Sequence, residues 1–127
     1  MNAARCHCGK PESYSDCCGR FLAKQAFAST AEQLMRSRYS AFVESNEAYL
    51  RESWHPDSRP SRIRFDPEQR WLGLTIKATT DGGDMDNRGT VEFVARYKVA
   101  GKGYRLHELS RFEKIEGRWY YLDGEHL

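Results

Sequence analysis

The chain has 127 residues, of which 39% are hydrophobic and 13% aromatic, so it can bury one core and is short for two. Its 20 Lys and Arg against 18 Asp and Glu give a net charge of only +2, which argues against a nucleic-acid partner bound through bulk charge. The first residues, MNAARCHCGK, lack the apolar stretch of a secretion signal, and no window approaches the ~20 apolar residues of a membrane span, so we expect a cytoplasmic protein.

All four cysteines lie in one short stretch, RCHCGKPESYSDCCG, at residues 5–19. Their spacing is C-x-C, eight residues, then C-C, which closes a hairpin with two thiols at each end. Disulfides rarely persist in a reducing cytosol, and the adjacent pair would have to bridge back across one small loop. Four thiolates in a tetrahedron are the usual closed shell of a structural Zn²⁺. We therefore predict a zinc site at Cys6, Cys8, Cys17 and Cys18, with iron as the alternative metal and free thiols or a redox pair as the alternative chemistry.

The sequence around these cysteines resembles a known zinc module. C-x-C-G followed by Y-x-x-C-C-G is similar to the SEC-C motif, which was first defined at the C-terminus of the bacterial protein-export motor ATPase. The usual motif continues C-x-C-G-S-G-K, whereas here Gly9 is followed directly by Lys10, so the loop differs while the ligand spacing is kept. The resemblance implies a zinc hairpin over residues 1–24 that contacts proteins of the export or translation machinery. His7, between two cysteines, is expected to point away from the metal.

A helix is predicted from about residue 31. Two alternative capping boxes can start it, Ser29 with Glu32 or Thr30 with Gln33. Arg38 falls near the middle of its apolar face. That face is formed at helical spacing by Ala31, Leu34, Met35, Ala41 and Phe42.

The periodicity changes further along the chain. A second, short helix is predicted from about residue 46 to 54, followed by a proline-containing loop over 55–70. Apolar and polar residues then alternate over 72–78 and 91–99, which indicates strands, and two more strands are predicted over 104–114 and 118–122. Turns are expected at 100–103 and 116–117. Helices first and a strand meander afterwards predict a segregated α+β domain, and the only linker that we expect lies near residues 19–29.

The strand over 104–114 indicates a second candidate site. If Leu106 and Phe112 face the core, Glu108 and Ser110 must face it too, because side chains alternate along a strand. A buried carboxylate needs a partner, and Arg38 on the helix is the natural one. We interpret the pair as an internal salt bridge that ties helix to sheet. The alternative is a polar floor to a pocket, with Glu108 as a base and Ser110 as a hydrogen-bonding group.

Two longer stretches carry a resemblance over nearly the whole chain. MRSRYSAFVESNEAYLRESWHPDSRP at 35–60 and HELSRFEKIEGRWYYLDG at 107–124 are similar to the uncharacterised YchJ-like bacterial proteins. These proteins join a SEC-C hairpin to a domain like nuclear transport factor 2, a cystatin-like curved antiparallel sheet wrapped around helices. The resemblance implies such a domain over residues 25–127.

Two classes of function are consistent with these sequence features. The first is a noncatalytic zinc-binding adaptor, with the hairpin as a protein-contact module and no catalytic residue assigned. The second is a small-molecule binder or an enzyme that uses the interior of the cone-shaped domain. Nucleic acid is not expected as a partner, and the oligomeric state is open, with a dimer as one option.

Overall fold

The elements follow the predicted order, helices first and strands afterwards. The computed structural model describes residues 5–127, so the first four residues of the predicted 1–24 module lie outside the described part. A 3₁₀ turn at Tyr14–Asp16 lies within the cysteine hairpin, just before its second pair of cysteines. The helices are α1 (Cys18–Leu22), α2 (Ala31–Val43) and α3 (Glu47–Glu52), and the strands are β1 (Gln69–Asp81), β2 (Arg88–Val99), β3 (Lys102–Ile115) and β4 (Arg118–His126).

The four strands form one antiparallel sheet in the order β1-β2-β3-β4. Register shifts at Trp71/Gly73, Ile76/Ala78 and Arg111/Phe112 interrupt the pairing, and irregularities of this kind bend and twist a sheet. The turn predicted over 100–103 is shorter than expected, because residues 102 and 103 already pair with β2. The α+β class predicted from the sequence is confirmed.

Helix α2 begins with one of the two predicted capping boxes. Thr30 Oγ1 accepts a hydrogen bond from the backbone N–H of Gln33 at 3.1 Å, and Gln33 Oε1 accepts one from the backbone N–H of Ser29 at 2.9 Å. Glu32 instead forms an ion pair with Arg36 one turn along, at 2.9 Å. The Thr30 and Gln33 pair therefore fixes the start of the helix.

Helix α3 ends earlier than predicted. Asn46 Oδ1 caps its start by accepting from the backbone N–H of Tyr49 at 3.0 Å. The helix stops at Glu52, and Trp54 forms an isolated parallel bridge with Tyr121 of β4. Pairing with the sheet thus replaces the last helical turn that the sequence predicted.

One hydrophobic core joins the helices to one face of the sheet. Two side chains of residues 19–29, Phe21 and Ala28, are buried in this core, and Trp119 Nε1 donates to the backbone oxygen of Ser29 at 3.1 Å. The segment expected as a linker is therefore anchored to the domain, and the boundary between 24 and 25 stays a prediction. Within residues 5–127, no helix combines the length and apolar character needed to cross a membrane. The largest buried side chains of the core include Trp119, Phe112, Leu50 and Val91.

Candidate metal centre and interior cavity

The cysteine hairpin is closed by backbone hydrogen bonds. The N–H of Cys6 donates to the carbonyl oxygen of Glu12 at 2.8 Å, and Arg5 forms a bridge with Ser13. Gly9 has φ +94°, a conformation that glycine adopts without a steric penalty, and its N–H donates to the carbonyl oxygen of Cys6 at 3.1 Å. This turn carries the first two cysteines back towards the second two.

The four cysteines form a cluster with the dimensions of a tetrahedral metal site. Their Sγ atoms all lie within 4.8 Å of one another, and the Sγ atoms of Cys8 and Cys17 are 3.7 Å apart. A tetrahedron with metal–sulfur bonds of about 2.3 Å has edges of about 3.8 Å. All four side chains are buried and none forms a disulfide. The donor set and its spacing fit a closed structural metal centre held by Cys6, Cys8, Cys17 and Cys18.

The thiols of this cluster compete for negative charge. A hydrogen bond from Cys18 lowers the pKa of Cys8 to about 4. Burial, together with the neighbouring thiols, raises the pKa of Cys17 to about 12, and the hydrogen bond to Cys8 raises the pKa of Cys18 further. Several thiolates at this spacing repel one another unless a cation lies between them. The protein alone thus favours the thiolate of Cys8 over those of Cys17 and Cys18, and a divalent cation would compensate further thiolates.

The cysteine cluster packs against helix α2. Cys6 Sγ lies 3.8 Å from Ser40 Oγ, and Arg36 Nη1 donates to the carbonyl oxygen of Cys8 at 2.8 Å. Leu74 of β1 also packs against the cluster. His7 Nε2 lies 2.7 Å from Glu44 Oε2, and His7 is not in the group of ligands that surround the common centre.

A second feature is a partly open cavity of about 290 Å³ between α2 and the sheet. Arg38, Glu108 and Ser110, which the sequence placed together, all border it. Most of its remaining wall is apolar and aromatic, which is typical of small-molecule sites. The aromatic side chains are Tyr39, Phe42, Trp54, Trp71, Phe93 and Tyr121.

The expected salt bridge between Arg38 and Glu108 is not formed among the described residues. Arg38 is 3% exposed, and its Nη1 donates to the carbonyl oxygen of Leu50 at 2.8 Å and to Ser53 Oγ at 2.7 Å. Its guanidinium carbon lies 4.9 Å from the ring centre of Trp54 and 4.5 Å from that of Tyr121. Burial lowers the pKa of Arg38 to about 10. This value is still well above neutral pH, so the guanidinium stays charged. Two rings and two oxygens thus stabilise the cation in place of a carboxylate.

The carboxylate of Glu108 is held by a residue of its own strand, β3, and lies in the space that a glycine leaves on the neighbouring strand, β4. Glu108 Oε2 accepts a hydrogen bond from Ser110 Oγ at 2.7 Å. A Cβ built on Gly124 of β4 would lie 2.8 Å from Glu108 Cδ, so the carboxylate occupies the space that a side chain at position 124 would fill. A glycine inside a strand signals this kind of close approach, and the sequence reasoning did not use that signal.

Trp54 contributes a polar group that the sequence reasoning also missed. Within residues 5–127, its Nε1 is buried and has no hydrogen-bond partner. Buried donors are normally paired, so an unpaired indole N–H at a cavity wall is unusual. The bridge and the edge-on ring contact with Tyr121, which no sequence pattern reveals, hold Trp54 at this wall.

Comparison with known proteins places the fold and the cysteine hairpin in one family. Residues 30–124 match the family model described as the middle, NTF2-like domain of YchJ. The chain belongs to the YchJ-like family. A UPF0225 protein of Streptomyces coelicolor is 52% identical over 127 residues, covering 100% of this chain and 99% of that protein. A UPF0225 protein of Bordetella parapertussis is 55% identical over 125 residues, covering 96% and 92%.

Two solved structures share the whole arrangement with this YchJ-like chain. The solution structure of a SEC-C motif containing protein from Rhodopseudomonas palustris has a TM-score of 0.84 and 38% identity, with 100% of this chain and 99% of that one covered. The crystal structure of a SEC-C motif containing protein from Psychrobacter arcticus has a TM-score of 0.75 and 32% identity, with 97% and 75% covered. The predicted NTF2-like fold and the SEC-C resemblance are both confirmed.

Proposed function

We propose that the protein is a cytoplasmic, noncatalytic zinc-binding adaptor. Zn²⁺ held by Cys6, Cys8, Cys17 and Cys18 fixes the hairpin loop as a contact surface for a partner protein. One observation supports this proposal above the others: the four sulfurs are buried against α2, whereas the loop over residues 9–12 between them is exposed. A metal that closes the base of a loop reduces the conformational entropy lost when the loop binds a partner.

The partner class follows from the SEC-C likeness. Proteins of the export or translation machinery are the candidates, and Lys10 together with Glu12 supplies the exposed charges of the loop. The metal is proposed as zinc because a buried, closed set of four thiolates is the usual shell of a structural Zn²⁺, and elemental analysis distinguishes it from iron, which four thiolates also hold. Elemental analysis of natively purified protein is expected to give about one Zn per chain, and protein without metal but with four titratable thiols would contradict the site.

The adaptor proposal is tested with a pair of charge-reversing variants. Lys10→Glu changes the loop without touching a sulfur, and Lys77→Glu is the matched control on an exposed position of β1. Co-sedimentation with purified bacterial ribosomes and capture of export chaperones are measured for both variants and the wild type. Loss of about tenfold in binding for Lys10→Glu alone supports the adaptor. Equal binding by all three proteins, or none by the wild type, contradicts it.

A second candidate function rests on the interior cavity. Its volume of about 290 Å³ and its largely aromatic wall favour a small-molecule ligand beside Arg38, Glu108 and Ser110. In this alternative Glu108 is the group able to accept a proton from a bound molecule. Direct titration with small aromatic ligands tests it, and the absence of any binding would contradict it.

A further inference from the structure

We propose that the interior cavity binds an uncharged, ring-containing molecule through an amide group, that is, a carbonyl oxygen next to an N–H. This inference rests on the second candidate function and adds the chemical class of the ligand. The hydrogen-bonding groups that the protein leaves unpaired around the cavity point to that class.

The donors on one side call for an acceptor on the ligand. Arg38 uses Nη1 for Leu50 and Ser53, and among the described residues its Nε and Nη2 have no hydrogen-bond partner. Trp54 Nε1 is a buried donor without a partner. Both residues line the cavity. An unsatisfied buried donor such as Trp54 Nε1 is costly, so a ligand oxygen that reaches it would gain from pairing it.

The acceptor on the other side calls for a donor on the ligand. Glu108 Oε2 accepts from Ser110 Oγ, the Tyr121 hydroxyl is the other donor beside the carboxylate, and a carboxylate has lone pairs left to accept from a ligand. Ser110 is fully buried, and Gly124 leaves room for the carboxylate against β4. Glu108 therefore has a fixed position from which one oxygen can accept from a ligand N–H.

The charges around the cavity disfavour a ligand with a net charge of either sign. Among the residues that line it, Arg38 and Glu108 are the ones that carry charge, and their charges cancel. A carboxylate ligand would gain from Arg38 but meet Glu108, and an ammonium ligand would meet Arg38. An amide offers an oxygen to the first and an N–H to the second without a charge of its own.

The walls specify the body of the ligand. Phe42 and Trp71 stand with ring centres 5.8 Å apart, and Tyr39 meets Trp71 edge-on at 5.7 Å. Aromatic walls favour a flat ring, since offset and edge-to-face contacts add to the burial of apolar area. The volume of about 290 Å³ holds roughly ten waters or one ring with a short polar arm.

Three probes of matched shape test the proposal: phenylacetamide, phenylacetate and 2-phenylethylammonium. Binding is followed on the full chain, loaded with Zn²⁺, through the indole N–H resonance of Trp54 in ¹H–¹⁵N spectra. The wild type is expected to bind phenylacetamide about tenfold more tightly than either charged probe. Glu108→Gln removes the negative charge and should improve phenylacetate binding relative to phenylacetamide by about tenfold. Glu92→Gln is the control, because Glu92 pairs with His107 at 2.7 Å and does not line the cavity.

The outcomes separate the ligand class from the cavity itself. Wild type that prefers phenylacetate or 2-phenylethylammonium overturns the amide class and leaves the cavity as a ligand site. If no probe shifts the Trp54 resonance at about 20 mM, both the class and the second candidate function are wrong. If Glu108→Gln does not fold, the ranking of the three probes on the wild type decides the class alone.

Discussion

Gly124 has no side chain, and the carboxylate of Glu108 lies in the space that this leaves. A methyl group at position 124 would collide with the Glu108 carboxylate, whose Cδ lies 2.8 Å from the built Cβ. We expect Gly124→Ala to displace Glu108, break its hydrogen bond with Ser110 and lower the free energy of unfolding by about 1–2 kcal/mol in urea titrations.

Gly103→Ala is the matched control for this variant. Gly103 also lies in a strand, but a Cβ there meets nothing within 4 Å. Its substitution should leave stability unchanged or raise it by up to about 1 kcal/mol. Equal losses in the two variants would mean that the carboxylate is not held against β4.

Sequence reasoning placed some residues of the cavity and not their contacts. Strand alternation and helix periodicity put Arg38, Glu108 and Ser110 in one region, and the structure has all three at one cavity. The predicted ion pair between Arg38 and Glu108 was wrong, because the rings of Trp54 and Tyr121 contact the guanidinium instead. Such contacts join residues far apart in the chain, so no local pattern contains them.

The two tight hairpins each turn through a non-glycine residue with a left-handed backbone, followed by a glycine. Ala100 has φ +50° before Gly101, and Glu116 has φ +51° before Gly117. Two consecutive left-handed residues are typical of a type I′ turn, in which asparagine is favoured first and alanine is strained. We expect Ala100→Asn to raise the free energy of unfolding by about 0.5–1 kcal/mol in urea titrations.

The same substitution at an exposed strand position is the control. Ala78 is exposed in β1, and asparagine is disfavoured in strands. Ala78→Asn should therefore give no increase in the free energy of unfolding. Stabilisation of both variants would point to a general surface effect rather than to relief of turn strain.

Element types were predictable from the sequence, and element ends were not. The 3.6-residue and 2-residue periods indicated the helices and strands in order, and the capping residues indicated the start of α2. The end of α3 depends on Trp54 pairing with Tyr121, and the anchoring of residues 19–29 depends on Phe21 and Ala28 entering the core. Both are tertiary contacts that override local preference.

At the scale of the whole molecule, the cysteine cluster and the sheet domain are expected to unfold together. Cys6 and Cys8 contact Ser40 and Arg36 of α2, and that helix packs on the sheet. Removing the metal with a chelator should therefore lower the free energy of unfolding of the entire chain. The loss is about 2.7 kcal/mol when the free metal concentration was about a hundred times the Kd, which corresponds to a fall in Tm of about 10 °C.

Calorimetry of metal-loaded and metal-depleted protein checks this coupling. One transition that moves to lower temperature is the expected result. A sheet transition that stays in place while a small separate one disappears would show that the hairpin is energetically independent, and would favour a domain boundary near residue 24.

Every sulfur ligand precedes α2 in the chain, and all four lie within residues 6–18. During synthesis they emerge before any strand, whose first pairing must wait for residues near 89 to meet those near 81. Short loops close in well under a microsecond, far faster than a chain elongates. If the cluster binds the proposed ion, a nascent chain can therefore capture it first, and the later helix then docks onto an already closed loop.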